Sequence, residues 1–325
     1  MTTPPLPEWA PHEAVWIGFP SHADLWEDDL APARAEVAAF AAAVHAVGKG
    51  EEVRLVAAND EAAAEARRLA PFATVLVEPF GDIWLRDTGP IVTGSGADRR
   101  LVGFGFNGWG GKYDLEGDVK INRRLAASAG LPFAKTDWIL EGGAIDGDGS
   151  GLIVTTEQCL LNPNRNPELT RADIEQRLAR DLGATRIVWL GDGLAGDHTD
   201  GHVDNLARFV APGRVVIPEA EPDDPNADVY ADAAERLLDA DLHVTAIPSP
   251  GLLTGDDGTP IAASYVNFYI GNAAVVVPLY GAPNDQAAIE SLRPLFPDRE
   301  IIGLRADHIL TGGGSFHCIS QQVPA

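Results

Sequence analysis

Sulfur is nearly absent from this chain, with two cysteines and one methionine in 325 residues. Cys159 and Cys318 are too few and too far apart for a disulfide framework, so each is read as a free thiol. Cationic side chains are also scarce: 24 Lys plus Arg against 48 Asp plus Glu leave a net charge of −24. A nucleic-acid binder neutralises phosphates with clustered Lys and Arg, so this balance excludes nucleic acid as a partner. The same acidity suits a cationic small molecule, and otherwise keeps the surface solvated. No apolar run approaches the ~20 residues of a membrane span, and "MTTPPLPEWAPHEAVW" has neither the basic nor the apolar region of a secretory signal. No membrane contact and a cytoplasmic location are the expectations.

What is abundant is a repeated alternation of helix and strand. Helical periodicity runs through 59–70, 115–130, 169–183, 228–240 and 284–296. Each helix is followed by a short strand, "ATVLVEP", "FAKTDWIL", "ATRIVWL", "LHVTAIP" and "REIIGL", so the unit recurs every 50–61 residues. Between units lie the strand pairs "PIVTG…RLVGFGF", "GLIVTTEQCLLNP", "NLARFVAPGRVVIP" and "YVNFYIGNAAVVVPLY". A fifth pair is assembled from the chain ends, "FHCISQQ" beside "AVWIGFP", with a further helix at 28–47. The pattern predicts an α/β propeller of five ββαβ units, with one of the six helices an embellishment. No linker-like stretch breaks it, and "EAEPDDPNAD" reads as an acidic surface loop.

Loops that follow the helix-strand units carry the polar motifs: "EPFGDIWLRDTGP", "EGGAIDGDGSG", "GDGLAGDHTDGHVDN" and "RADHILTGGGSFHC". In a ring these loops meet at one end of the axis, gathering Asp82, Arg86, Asp87, Glu141, Asp197, His198, Asp200, His202, Asp204, His317 and Cys318 around one cavity. Cys318 is the candidate nucleophile, because the glycines before it free backbone N–H groups to face the sulfur and His317 is at hand to supply charge or take the proton. The competing reading is a small apolar residue on the last strand. Cys159, in an apolar strand run, reads as inert core. His202 and Asp204, two apart, face one side of a strand, where a histidine transfers protons while a carboxylate holds a cation. Asp87 and Glu141 have no basic partner in view except Arg86. Acids gathered this way repel one another unless a cationic ligand supplies the missing charge, which a planar guanidinium does two oxygens at a time.

Three weaker patterns remain. "DHTDGHVD" has His198 and His202 at a metal-ligand spacing, although Gly201 counts against a helix presenting both, and a metal-dependent amidohydrolase is the alternative it carries. "GFGFNG" fits a dinucleotide loop without the helix start that should follow. "DGDGSG" lacks the glutamate of a calcium loop and reads as a hairpin turn.

Taken together, "PEWAPHEAVWIGFP", "GDIWLRDTGP", "FNGWGGKYD", "EGGAI", "TTEQCLLNPNRNP", "TDGHVDNLARF", "YVNFYIGN" and "GGGSFHCISQQ" resemble, in order and over nearly the whole chain, the agmatine deiminase family, the Porphyromonas-type peptidylarginine deiminases of the guanidine-modifying pentein group. The resemblance implies one pentein catalytic domain over 1–325, hydrolysis of a guanidino group without metal or organic cofactor, and a small cationic substrate, with a homodimer as the assembly it admits. It implies Cys318 as nucleophile, His202 as general acid and base, Glu141 as the group that orients His202, and Asp87 and Asp204 as clamps on the guanidinium. Trp84, Trp109, His198 and Gly313 would bind the rest of the substrate. Agmatine, giving N-carbamoylputrescine, is the expected substrate, with an arginine derivative, a peptidyl arginine or a guanidino acid as alternatives. A guanidine-binding module without turnover is disfavoured by the presence of both Cys318 and His202. Two positions depart from the family pattern: His198, where glutamate is usual, and Phe19, where tryptophan is usual. An imidazole at 198 in place of an anion would weaken the hold on a primary ammonium.

Overall fold

The two ends of the chain are paired: Ser320–Pro324 runs antiparallel to His12–Phe19, from Pro324 opposite His12 to Ser320 opposite Ile17. This structure, a computed structural model, describes residues 2–255 and 258–325. The pairing of the ends opens a sheet that continues through Glu52–Ala57 to Thr74–Val77. Four three-stranded sheets follow with the same plan, an antiparallel pair and then a parallel third strand. A helix makes each parallel crossover: Leu30–His45, Asp118–Ala129, Arg171–Leu182, Ala227–Asp239 and Asp285–Leu292. The described residues therefore form five ββαβ units. The embellishment is Asp60–Leu69 with Thr74–Val77, which adds a fourth strand to the first sheet.

Local sequence explains the elements. Arg171–Leu182 starts at a reciprocal cap between Thr170 and Asp173, buries Ile174, Leu178 and Leu182 at four-residue spacing, and stops at Gly183, whose φ of +67° suits a residue without a Cβ. Strands such as Ala274–Leu279 are covered on both faces and read as continuous apolar runs. Two expectations change in detail. The third hairpin joins Ile145–Gly147 to Leu152–Thr156 across "DGDGSG", so "EQCL" is a helical turn, Glu157–Leu160, and Cys159 is not on a strand. The helical stretch 23–48 has the length and mean hydropathy, 1.3, of a membrane span, a consequence of its alanine content. Its central helix turns Ala33, Val37, Phe40, Ala41 and Val44 into the protein core.

The topology decides where chemistry can gather. Because the second and third strands of each unit are parallel and the first is antiparallel, two kinds of connection emerge at the same end of each sheet. One runs from the third strand to the next unit, and the other from the second strand to the crossover helix.

Candidate active site

Connections of the first kind carry, among the described residues, 78–90, 140–144, 191–207, 249–255 with 258–268, and 306–319. They bring together the residues singled out from sequence. Trp84, Asp87, Trp109, His198, Gly313 and Cys318 line one cavity of about 370 Å³. Glu141, His202 and Asp204 are fully buried behind it, His202 and Asp204 against the lining residues Asp87 and Cys318, and Glu141 against His202. The Cys318 sulfur is 3.6 Å from Asp204 Oδ2, and His202 Nδ1 is 3.7 Å from Asp87 Oδ1. A Cβ placed on Gly143 would lie 2.6 Å from His202 Nδ1, 2.9 Å from Asp87 Oδ1 and 3.1 Å from Asp204 Oδ2. Imidazole and both carboxylates thus converge on one point, which is left open because residue 143 has no side chain.

Each acid is held differently. Asp87 accepts hydrogen bonds from Trp109 Nε1 at 2.9 Å and from the Gly143 N–H at 2.9 Å. Burial, with the charges of Asp204 and Glu141, pushes its pKa up against the pull of His202. Asp204 Oδ2 meets His317 Nδ1 at 2.7 Å, while its Oδ1 is buried with no partner among the described residues. Burial acts against the Asp204 anion, but His317, His202 and Arg208 hold its pKa below the ordinary value. For Glu141, burial is likewise outweighed by His202 and Arg165.

The Cys318 thiol is pushed well above its ordinary pKa by burial and by the anions of Asp204 and Asp87, while Asn267 works the other way, its Nδ2 donating to the sulfur at 3.1 Å. For His202, burial is overcome by Asp87, Cys159 and Glu141, and its pKa is raised well above the usual 6.5. The resting site therefore holds a thiol, an imidazolium and an excess of acid.

Several expectations are corrected. Arg86 does not serve Asp87 or Glu141: it bonds Gln322 and the His317 carbonyl and faces Glu8, because its turn points it behind the site. Glu141 instead pairs through Oε1 with Arg165 Nε at 2.8 Å, and Arg165 also grips Asp200 and the Thr199 carbonyl. His317 is spent between Asp204 and Glu8 rather than on the sulfur. His202 and Asp204 flank the start of the turn Val203–Asn205 and not a strand. The Glu141 Oε2 to His202 Nε2 separation is 3.7 Å, an ion contact beyond hydrogen-bond reach. Asp197 caps the loop by accepting from Thr199, and Asp200 pairs with Lys112, so neither enters the cavity.

The glycines before Cys318 answer to tryptophan. Cβ atoms on Gly312 and Gly314 would lie 2.7 and 2.6 Å from the Trp84 ring, and Gly313 has φ +101°. Trp84 is held there by Asp82, whose carboxylate takes the indole N–H groups of Trp84 and Trp26 at 2.6 and 3.0 Å. His198 and His202 do not form a pair: the His198 ring sits at the cavity edge against Tyr113, its Nδ1 2.9 Å from the hydroxyl. Phe19 is buried beneath the Arg34 guanidinium, 5.6 Å from its ring, and does not reach the cavity.

Sequence reasoning missed Asn267, Arg165, Glu8, Tyr113 and the run Glu27, Asp28 and Asp29 on the cavity wall. It also placed Cys159 in inert core. Cys159 is indeed buried, yet its sulfur is 4.0 Å from Glu141 Oε2, beside His202.

With this geometry established, comparison with known proteins is specific. The profile of the Porphyromonas-type peptidyl-arginine deiminase family matches residues 5–324. Agmatine deiminase from Stutzerimonas stutzeri is 39% identical, with 98% of this chain and 94% of that protein covered. Among solved structures, agmatine deiminase of Enterococcus faecalis is 33% identical with a TM-score of 0.92, covering 98% of this chain and 95% of its own. A substrate-bound agmatine deiminase of C. jejuni gives 28% and 0.90, covering 99% and 96%. DDAH from Pseudomonas aeruginosa, 13% identical with a TM-score of 0.56 over 96% of this chain and 99% of that one, extends the likeness at the level of the α/β pentein fold. Matched from residue 5 to residue 324 and over a third identical to a full-length relative, the chain belongs to the Porphyromonas-type peptidyl-arginine deiminase family.

Proposed function

We propose that the protein hydrolyses the guanidino group of agmatine to N-carbamoylputrescine and ammonia through a covalent intermediate on Cys318. The observation that carries this reading is the unpartnered, fully buried Oδ1 of Asp204, whose Oδ2 lies 3.6 Å from the sulfur of Cys318, a residue that lines the cavity together with Asp87. A buried carboxylate oxygen without a donor is costly, and a guanidinium is the group that supplies paired N–H donors and the missing positive charge together.

The mechanism follows from the charges. Asp87 and Asp204 grip the guanidinium and hold its carbon near the sulfur, supplying the orientation a poor electrophile needs. The bound cation offsets the anions that keep Cys318 protonated, so the thiol loses its proton to solvent as the substrate binds and the thiolate sulfur bonds to the central carbon. Asn267 donates to the sulfur as charge forms. His202, already an imidazolium, protonates one nitrogen of the tetrahedral adduct, and ammonia leaves. A thiouronium remains. Neutral His202 then takes a proton from water as it attacks, and collapse of this second adduct expels the Cys318 thiolate and releases the urea product.

The far end of the cavity supports agmatine over an acid-ended guanidine. Although His198 stands where family members usually carry glutamate, Glu27, Asp28, Asp29 and Asp82 line the same cavity. They favour a terminal ammonium and repel a carboxylate. Gly313 and the rings of Trp84 and Trp109 bound the space for the alkyl stem. The five ββαβ sheets are read as blades of a single-domain propeller with pseudo-five-fold symmetry, since residues from all five inter-unit connections meet here. A thiol nucleophile needs a reducing compartment, which fits the cytoplasm. Ammonia release from a panel of agmatine, arginine, 4-guanidinobutyrate and a peptidyl arginine tests the assignment: agmatine should be turned over best, and preference for either carboxylate-bearing compound would overturn it.

A further inference from the structure

We propose that Glu141, Cys159 and His202 form a binding site for a soft divalent cation, Zn²⁺ or Cd²⁺, and that a cation seated there inhibits the enzyme by taking His202 out of proton transfer. One ligand atom from each of the three residues lies within 4.8 Å of the other two, and all three side chains are buried. Sulfur, imidazole nitrogen and carboxylate oxygen are the donor set such ions choose. A second observation stands apart from this grouping: neither ring nitrogen of His202 has a hydrogen-bond partner among the described residues, although the ring is fully buried.

The distances leave room for a bound ion. His202 Nε2 is 3.7 Å and Cys159 Sγ 4.0 Å from Glu141 Oε2. Around a tetrahedral zinc, with bonds of about 2.0 Å to N and O and about 2.3 Å to S, such pairs sit roughly 3.3–3.5 Å apart. These two pairs need to contract by about half an ångström, within the reach of side-chain adjustment, and a fourth position stays open for water. Arg165 does not block the site, because it uses Glu141 Oε1 and leaves Oε2 to face the cluster.

Asp87 lines the neighbouring cavity and stands 3.7 Å from His202, so an ion enters past it and inhibition should be slow to develop.

Binding does not depend on the catalytic reading given above, whereas the predicted inhibition does, through the role of His202. The test is a Cd²⁺ titration of the intact enzyme and of Cys159→Ser, Cys159→Val and Cys318→Ser, following the ultraviolet thiolate-to-cadmium absorption band, with ammonia release measured in parallel on the wild type. The expected result is one band of equal strength in wild type and Cys318→Ser, its loss in both Cys159 variants, and at least tenfold weaker binding in Glu141→Gln. Cys159→Val fills the buried space without a ligand, so its thermal melt shows whether loss of the band is loss of fold. A band that persists in the Cys159 variants and vanishes in Cys318→Ser would place the ion on the other sulfur and overturn the proposal, as would no band in any of them. If the band forms on Cys159 and ammonia release continues, the metal site stands and the assignment of His202 falls.

Discussion

Gly143→Ala places one methyl group at the point where the site's acids and base converge, and its cost follows from distances. The added carbon would lie 2.6 Å from His202 Nδ1, 2.9 Å from Asp87 Oδ1 and 3.1 Å from Asp204 Oδ2. Ordinary contact begins at 3.4 Å, so the imidazole must retreat by about 0.8 Å and the carboxylates by about 0.5 and 0.3 Å, or the loop must shift as a body. Residue 143 is not among the glycines with positive φ, so alanine meets no backbone strain. Steric displacement is the whole effect. Misplacing catalytic groups by about 1 Å costs roughly 10²-fold, and overpacking a buried site costs about 1–3 kcal/mol of stability. The expected result is a 30- to 100-fold loss of ammonia release, mainly in kcat, as about 2–3 kcal/mol of transition-state stabilisation disappears. Steady-state kinetics beside a thermal melt separate the two costs. Turnover within threefold of wild type in a folded variant would refute the claim that these three side chains share one reaction centre.

Further outcomes are open to measurement. Cys318→Ala should abolish ammonia release while Cys159→Ala retains it, and equal activity of the two variants would contradict the assignment of the nucleophile. EDTA should leave the rate unchanged while a thiol alkylator removes it, and the opposite pattern would favour the metal-dependent alternative. Because burial and the neighbouring acids raise the Cys318 pKa, alkylation of the free enzyme by iodoacetamide should be slow at neutral pH and accelerate as pH rises past the ordinary thiol value, with Asn267→Ala pushing the midpoint higher still; a midpoint below pH 8 would contradict this. Burial also raises the carboxyls of Asp82 to about 6 and Asp118 to about 7. A carboxyl that holds its proton more tightly when folded stabilises at low pH, and that contribution is lost between about pH 4 and 7, by an amount of order 2–4 kcal/mol for Asp118. Denaturant unfolding of Asp118→Asn should show a flatter decline than wild type across that window, and parallel curves would refute the coupling.

The repeat was legible in the sequence because its period comes from local signals: amphipathic helices, apolar strands and the turns between them. So were the acids and Cys318, since they lie in loops that interrupt strong periodicity with dense polar residues. Connections from the second strand to the helix were less legible. In 20–29, 106–117 and 157–170 the functional side chains are dispersed among glycines, apolar residues and surface-type charges, and only pairing in three dimensions shows that these segments share an end with the first set. Glu27 to Asp29, Tyr113, Cys159 and Arg165 all come from there. Arg165 shows the difficulty well. Its partner Glu141 is 24 residues away, whereas Arg86 sits beside Asp87 in sequence and points away from it in space.

The central claim, that the Cys318 sulfur bonds to the guanidinium carbon during turnover, is tested most directly by acid-quenching the enzyme within its first turnovers of agmatine and weighing its peptides by mass spectrometry. The account predicts a transient gain equal to substrate less ammonia on the peptide that contains Cys318, absent when Cys318→Ser is treated alike. Rapid ammonia release with no such gain at any quench time, or the same gain on the peptide carrying Cys159, would contradict it.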